Sequence, residues 1–170
     1  MRFTLPFMFA FMATAAQADP TVFGLTLGKT TQQQFLAQYP AKEVGESLYS
    51  GGPIYNVDPA NIDFDGLQKV SVIFDDKGTL VYVSAQFPKG KFDYLNQALS
   101  KKYKQVSKQI PLVGNKHATY KDGNSKIFLE APHMSFETDM TYLTNAFDKA
   151  YTDARRESNK QKKSKEESQL

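Results

Sequence analysis

The sequence lacks cysteine entirely and has only two histidines, His117 and His133, among its 170 residues. Without thiols an exported chain forms no disulfide and has no cysteine nucleophile, and it cannot be a lipoprotein, because the lipid is attached to a cysteine. The two histidines match no zinc-ligand spacing, even if Glu130 or Glu137 joined them, and no serine lies in a nucleophile elbow. We therefore predict no catalytic, metal-binding or cofactor-binding residue and no enzymatic activity.

Long apolar runs are also missing, except at the N-terminus. Arg2 is followed by an uncharged run from Phe3 to Ala15 and then by Ala16-Gln17-Ala18, which is the pattern of a cleaved secretory signal. The run is shorter than the roughly 20 residues that span a bilayer. We predict that residues 1–18 are a signal peptide removed before Asp19, that there is no transmembrane segment, and that the protein is periplasmic or secreted.

The chain after this leader begins with a short helix and a long connection. Thr30 or Thr31 is followed three residues later by glutamine, as in a capping box, and Pro40 ends the helix. Residues 41–65 are rich in Gly, Pro, Asn and Asp. We predict an irregular connection there, with a short strand or two inside it.

The clearest local pattern is a hairpin. Residues 67–74 and 79–87 are rich in β-branched and aromatic residues, and they flank the turn sequence Asp-Asp-Lys-Gly. Val70, Val72 and Phe74 alternate onto one side, which we expect to be the buried face.

Two helices, a second hairpin and one more strand complete the secondary structure. Apolar residues at helical spacing indicate a helix over 92–103 and a final helix whose apolar stripe ends at Ala154. Residues 117–131 indicate a hairpin, and residues 135–143 indicate a strand. That strand is expected to place three apolar side chains on one side: Phe136, Met140 and Tyr142.

This order of elements predicts an α+β fold. We expect an antiparallel sheet built from two hairpins plus one further strand, with helices packed on one face, in a single domain over residues 19–154. Gly28-Lys29 precedes the first helix as Gly90-Lys91 precedes the second, and a hairpin follows each. A duplicated helix-plus-hairpin unit is therefore a further hypothesis.

Two segments are similar to ligand-binding loops but depart from the patterns they suggest. In VFGLTLGKTT two glycines precede Lys29 and Thr30 as in a nucleotide-binding loop, but only three residues separate the glycines where four are needed. In NIDFDG, residues 61–66, oxygen-bearing residues alternate as in a calcium loop, but Val72 stands where the closing carboxylate belongs. We interpret the first as a strand before a capped helix and the second as a surface strand and turn.

Candidate binding residues fall into two groups. Residues 49–55 form a glycine-rich aromatic loop of a kind that supplies ring contacts in interfaces, and the second face of the first hairpin carries apolar side chains. Packing of the loop on its own domain, and covering of the face by a helix or the loop, are the alternatives. The possible interface residues are Tyr49, Pro53, Ile54, Tyr55, Ile73, Leu80 and Tyr82.

The excess of positive charge lies in the C-terminal tail, residues 155–170. The alternative to a binding role is a solvated extension, disordered or a frayed helix. Possible contacts with an anionic envelope surface are Arg155, Arg156, Lys160, Lys162, Lys163 and Lys165.

Residues 24–40 (GLTLGKTTQQQFLAQYP) and 67–84 (LQKVSVIFDDKGTLVYVS) resemble the helix start and hairpin of a known family. The resemblance is to the small outer-membrane assembly lipoproteins of the SmpA/OmlA type and to the related β-lactamase-inhibitor-like fold. It implies an α+β module that binds other proteins without catalysis. The chain departs from that family in its missing lipid-attachment cysteine, its longer connection between Tyr39 and Leu67, and an added hairpin, so no functional residue is carried over.

These observations predict a soluble, exported, non-enzymatic protein that binds other proteins or envelope components, without cofactor or nucleotide. The alternatives are a periplasmic inhibitor or immunity protein against a secreted enzyme, and a hydrolase with an unrecognised site. A protruding 41–65 loop favours the inhibitor, and an exposed apolar sheet face favours an assembly partner. A deep pocket that joins a histidine to carboxylates favours the hydrolase.

Overall fold

A computed structural model describes residues 19–169, so the predicted signal peptide lies outside the described residues. The strands are β1 (Thr21–Val22), β2 (Leu25–Thr26), β3 (Ala41–Glu46), β4 (Gly51–Val57), β5 (Lys69–Asp75), β6 (Leu80–Pro88), β7 (Lys104–Gln109), β8 (Lys116–Asp122), β9 (Ser125–Ala131) and β10 (Glu137–Thr144). The helices are α1 (Gln32–Gln38), α2 (Phe92–Lys102) and α3 (Asn145–Glu167). In this part of the chain no helix is long and apolar enough to cross a membrane.

Strands β3 to β10 form one antiparallel sheet in the order β3-β4-β5-β6-β10-β9-β8-β7. Each half is a four-stranded meander that follows a helix: α1 precedes β3 to β6, and α2 precedes β7 to β10. The last strands of the two halves, β6 and β10, pair at the centre. The α+β class is confirmed, but the sheet is larger than predicted, and the repeated unit is a helix with four strands instead of a helix with a hairpin.

The extra strands come from segments whose composition hides them. Residues 41–57, expected to be mostly irregular, form the edge hairpin β3–β4, and the register of β4 against β5 shifts between Gly51 and Ile54. Gly52 is needed there because a Cβ atom would lie 2.3 Å from the Asp75 carbonyl oxygen. The glycines therefore mark a close approach of two strands and a bulge instead of a loop.

The main core fills one face of the sheet. The β1–β2 hairpin, α1 and α2 cover this face, and Phe35, Phe92 and Leu99 are buried in it. Helix α1 begins as predicted: Thr31 caps it, accepting a hydrogen bond from the Gln34 amide in a complete capping box.

The two faces of the first hairpin are mostly as predicted. Val70, Val72 and Phe74 are buried in the main core. Leu80, expected on the opposite face, lies in the same core with 0% exposure. The reason is a register shift, because Ile73 pairs with Tyr82 but Phe74 pairs with Leu80, so one residue of β6 is bulged between them.

The position of α3 shows that the predicted packing of all helices on one face of the sheet is wrong. Phe147 of α3 joins Val81 and Leu143 in a separate small cluster on the second face, against Ile73 and Tyr82. The Thr144 side chain caps α3 directly after central strand β10, accepting from the Phe147 amide at 3.2 Å. Helices α1 and α2 already cover the first face. The apolar side chains that the central strands direct to the second face are therefore covered by α3.

The strand over 135–143 also differs in one residue. Met140 and Tyr142 are buried on the core face as predicted. Phe136 precedes β10, which begins at Glu137, and its side chain is exposed. The predicted common face of the three residues is therefore wrong for Phe136.

Candidate functional site

The second face of the sheet is only partly covered. Residues that alternate with the buried core positions line up there across six strands, because cross-strand partners share a face. Their side chains are half-buried: Asn56, Ser71, Ser84, Thr141, Phe128 and Thr119. We call this row, with the adjoining row of Gln86, Asp139, Glu130 and His117, the open face.

A groove of about 530 Å³ lies between the beginning of α3 and the end of this face that contains Ile73, Tyr82 and Leu143. We call it the α3 groove. Ile73, Tyr82, Phe128, Leu143 and Thr141 line it on the sheet side, and Phe147, Tyr151 and Arg155 line it on the helix side together with Tyr49 from the β3–β4 turn.

Aromatic packing holds α3 in place beside this groove. The ring of Phe147 lies 5.3 Å from that of Tyr82 and 6.0 Å from that of Tyr49, measured between centroids. Tyr49 also meets Tyr151 edge to face at 5.1 Å. Three of the predicted interface residues, Tyr49, Ile73 and Tyr82, are thus brought together at one place although they come from three different elements.

The other predicted interface residues lie elsewhere. Tyr55 is buried in the main core, where its hydroxyl accepts a hydrogen bond from Gln32 at 2.7 Å and donates one to Glu43 at 3.0 Å. Burial and the Glu43 carboxylate raise the pKa of the Tyr55 phenol. Tyr55 and Leu80 are therefore not available to a partner.

Pro53 and Ile54 are half-buried in β4. Ile54 pairs with Ile73 and so extends the apolar row of the groove toward the sheet edge. Pro53 pairs with Glu46 at that edge, away from the groove lining.

The polar groups of the groove are only partly paired. Asp148 of α3 binds Lys126 of β9 at 2.7 Å, which ties the helix to the sheet. Glu130 and Arg155 line the same groove, and in residues 19–169 neither has an ion-pair partner within 4.0 Å. The groove therefore offers one carboxylate and one guanidinium beside an apolar floor.

No protein-family model, curated protein or solved structure matches this chain. The resemblance to the outer-membrane assembly lipoproteins and the β-lactamase-inhibitor-like fold accordingly stays a prediction.

The histidines do not gather a site around them. The register places His117 opposite Glu130, and Asp139 follows on the next strand, but this row belongs to the open face and not to an enclosed pocket. Asp139 instead accepts a hydrogen bond from Gln86 at 3.2 Å. Within the described residues no group of three or more His, Asp or Glu side chains is arranged to hold a metal ion.

The nucleotide-like loop uses its backbone amides internally. Gly28 N–H donates to the Leu80 carbonyl at 2.8 Å, and the amides of Lys29 and Thr30 both donate to the Thr26 carbonyl. A phosphate-binding loop needs such amides free to point at its ligand. The interpretation as a strand before a capped helix therefore agrees with the structure, since β2 ends at Thr26 and α1 follows its Thr31 cap.

The calcium-like segment is a turn and not a strand. Residues 59–61 form a single 3-10 turn, and Ile62 and Phe64 pack toward the core. The Asp65 carboxylate is paired with Lys91, and this ion pair lowers the pKa of Asp65. The predicted turn is present at residues 65–66, and the predicted surface strand is absent from residues 61–66.

The cationic tail continues α3. Residues 155–169 are all exposed, and Lys163 pairs with Glu167 one turn away at 3.7 Å. Arg155 lines the α3 groove, whereas the other predicted contacts with an anionic surface are exposed and are not part of its lining: Arg156, Lys160, Lys162, Lys163 and Lys165.

Sequence reasoning did not single out several residues of the groove as a site, among them Phe128, Phe147 and Tyr151. Phe147 and Tyr151 belong to the apolar stripe of the final helix, but the stripe alone does not say which face it covers. Phe128 alternates with the buried residues Ile127 and Leu129, and this period of two was the available signal.

Proposed function

We propose that this chain is an exported, non-enzymatic binding protein that holds a partner protein on the open face and in the α3 groove. The observation that carries the proposal is the unequal covering of the sheet. One face is covered by α1, α2 and the β1–β2 hairpin, whereas the other is covered by the first turns of α3 only at the end where the α3 groove lies.

The chemistry of the open face supports a protein partner. Three tyrosines, Tyr49, Tyr82 and Tyr151, surround the apolar floor, and tyrosine is enriched where proteins bind one another. The neighbouring row of hydroxyl and amide side chains supplies hydrogen-bonding groups, as in the polar rim of an interface. Ser71 already donates to the Asn56 side-chain oxygen at 2.7 Å, so part of this row is held in a fixed orientation.

The structural features that distinguish the inhibitor and hydrolase hypotheses from an assembly partner favour the assembly partner. Residues 41–57 are paired in the sheet as β3 and β4, so the protruding loop on which the inhibitor hypothesis depends is reduced to the turn at 47–50. His117 and Glu130 lie side by side on an open surface, where water solvates both groups. The partly exposed groove and face support the assembly-type partner.

Site-directed photocrosslinking in the native envelope tests the proposal. A benzophenone side chain at Thr141, in the middle of the open face, is expected to capture one discrete partner, whereas the same group at Gln97, exposed on the outer side of α2, captures none. Capture of only a second copy of this chain, or the same products from both positions, contradicts the proposal.

A blocking substitution then tests the identified partner directly. Thr141→Arg places a long charged side chain on the face without entering the core and is expected to weaken binding at least tenfold, while Gln97→Arg leaves it unchanged. Unaltered affinity in the Thr141 variant would place the binding surface elsewhere.

A further inference from the structure

The outer edge of β7 is an unpaired end of the large sheet. Strand β7 pairs with β8 on one side, and in residues 19–169 no strand lies on its other side. All six of its residues, Lys104–Gln109, are exposed. An edge strand presents a row of unpaired N–H and C=O groups, so this edge can pair with a further strand.

The β7 edge carries lysines that lack carboxylate partners. Lys104 lies directly opposite Lys121 of β8, and like charges in such a cross-strand pair destabilise a sheet. Within the described residues neither of these two lysines, nor Lys108, has an ion-pair partner within 4.0 Å. A carboxylate placed beside Lys104 and Lys121 would remove the repulsion between them.

The surroundings of the edge stay positive when the nearby carboxylates are counted. Residues 101–122 contain one carboxylate, Asp122, and six lysines: Lys101, Lys102, Lys104, Lys108, Lys116 and Lys121. Other elements bring Asp93, paired with Lys116 at 3.6 Å, Asp19, paired with Lys29 at 3.3 Å, and the unpaired Asp63 and Glu130. Among the groups without an ion-pair partner, five lysines therefore outnumber three carboxylates.

The lysines lie on both faces of the edge. Lys104 shares the second face of the sheet with Lys121, whereas Lys108 pairs with Ala118, which is buried in the main core on the opposite face. Residues 104 and 108 would share a face in a regular strand, but the bulge in β7 separates them. An added strand points alternate side chains to the two faces, so its carboxylates at odd and at even positions can both meet a lysine.

We propose that the β7 edge binds an extended acidic segment of a partner protein, which adds to the eight-stranded sheet as a further strand. Main-chain hydrogen bonds to β7 hold the segment. Its carboxylates pair with Lys104 and Lys121 on one face and with Lys108 on the other. The proposal does not depend on the partner of the open face.

The same features keep the edge from pairing with a copy of itself. Lysines and bulges protect edge strands from aggregation, and two β7 edges would bring lysine against lysine. An acidic strand meets no such repulsion, so the edge selects its partner by charge. The bulge at Val106 limits the pairing to short stretches on either side, and we therefore expect a reversible contact.

A fluorescein-labelled peptide, Thr-Glu-Val-Glu-Glu-Val-Glu-Thr, tests the proposal with the full chain. We expect a saturable rise of its fluorescence anisotropy and, in hydrogen exchange measured by mass spectrometry, new protection of residues 104–109. The control peptide has proline in place of both valines and keeps the same charge. It is expected to bind at least tenfold more weakly, which equals about 1.4 kcal/mol, because proline cannot donate to the strand ladder.

A pair of charge-reversal variants locates the binding site. The double variant Lys104→Glu, Lys108→Glu changes two exposed side chains and is expected to weaken binding of the glutamate peptide at least tenfold. The matched control is Lys160→Glu, Lys163→Glu, which changes the net charge equally in the exposed tail and is expected to leave binding unchanged.

Several results of these experiments overturn the proposal. Equal weakening by the two double variants would show attraction by net charge alone, and loss only in the tail variant would place the site in the tail. Equal binding of the proline peptide, or no new protection of residues 104–109, would exclude strand addition. Binding of phosphatidylglycerol vesicles or duplex DNA in place of the peptide, lost in Lys104→Glu, Lys108→Glu, would make the edge a general polyanion surface. Concentration-dependent assembly of the chain alone in sedimentation, lost in the same variant, would make a second copy the occupant.

Discussion

Replacing Phe147 with alanine tests how α3 is held against the second face of the sheet. The side chain of Phe147 is 6% exposed and packs on Val81, Leu143 and the rings of Tyr49 and Tyr82. Burial of a phenylalanine contributes about 2 kcal/mol, and its packing against other rings adds about 1 kcal/mol. We therefore expect Phe147→Ala to lower the free energy of unfolding by about 3 kcal/mol.

The location of the effect is as informative as its size. Phe147 is the only buried residue of α3 among its described residues, so the helix is expected to leave the sheet when the ring is removed, while the main core stays packed. Hydrogen exchange measured by mass spectrometry should show lost protection over residues 145–154 and unchanged protection over α2. Urea unfolding gives the total change in free energy.

Phe136→Ala is the control, because it removes the same ring from an exposed site and should change stability by no more than about 0.5 kcal/mol. Retained protection of residues 145–154 in Phe147→Ala would refute the view that this ring docks the helix. Equal loss of protection in α2 would show that the two faces of the sheet form one cooperative core.

Two further predictions concern the sheet itself. Gly52→Ala should lower the free energy of unfolding by at least about 3 kcal/mol, because its Cβ atom would lie 2.3 and 2.4 Å from two carbonyl oxygens of β5. Gly90→Ala is the control and should be nearly neutral in urea unfolding, because a Cβ atom there would have no atom within 4 Å. Similar values for the two variants would contradict the close approach of β4 to β5 at Gly52. Burial raises the pKa of the Tyr142 phenol in the folded protein, so its contribution to stability is complete below pH ~10 and is lost above it by about 1.4 kcal/mol per pH unit as the unfolded phenol ionises. Burial also raises the pKa of Tyr55, Tyr103 and Tyr120, so Tyr142→Phe should reduce the slope of the free energy of unfolding against pH by about this amount without abolishing it. An unchanged slope in urea unfolding would place the effect on the other groups.

Several elements were predictable from the sequence because their determinants are local. The capping box of α1, the apolar spacing of α2 and the turn of the β5–β6 hairpin each depend on residues within a few positions of one another. The α3 groove was only partly predictable. Tyr49 and Tyr82 were identified as candidates from their surroundings in the sequence, whereas their meeting with Tyr151 depends on the path of α3.

The sequence by itself determined the helices, the two inner hairpins, the alternation that buries Val70 and Val72, and the chemistry closed to a chain without cysteine. Only the tertiary structure decided that residues 41–57 pair with β5, that a one-residue bulge turns Leu80 into the core, and that α3 covers the second face. The physical reason is that strand pairing, register and the choice of face are settled by contacts between residues far apart in the chain, and local propensity does not encode these contacts.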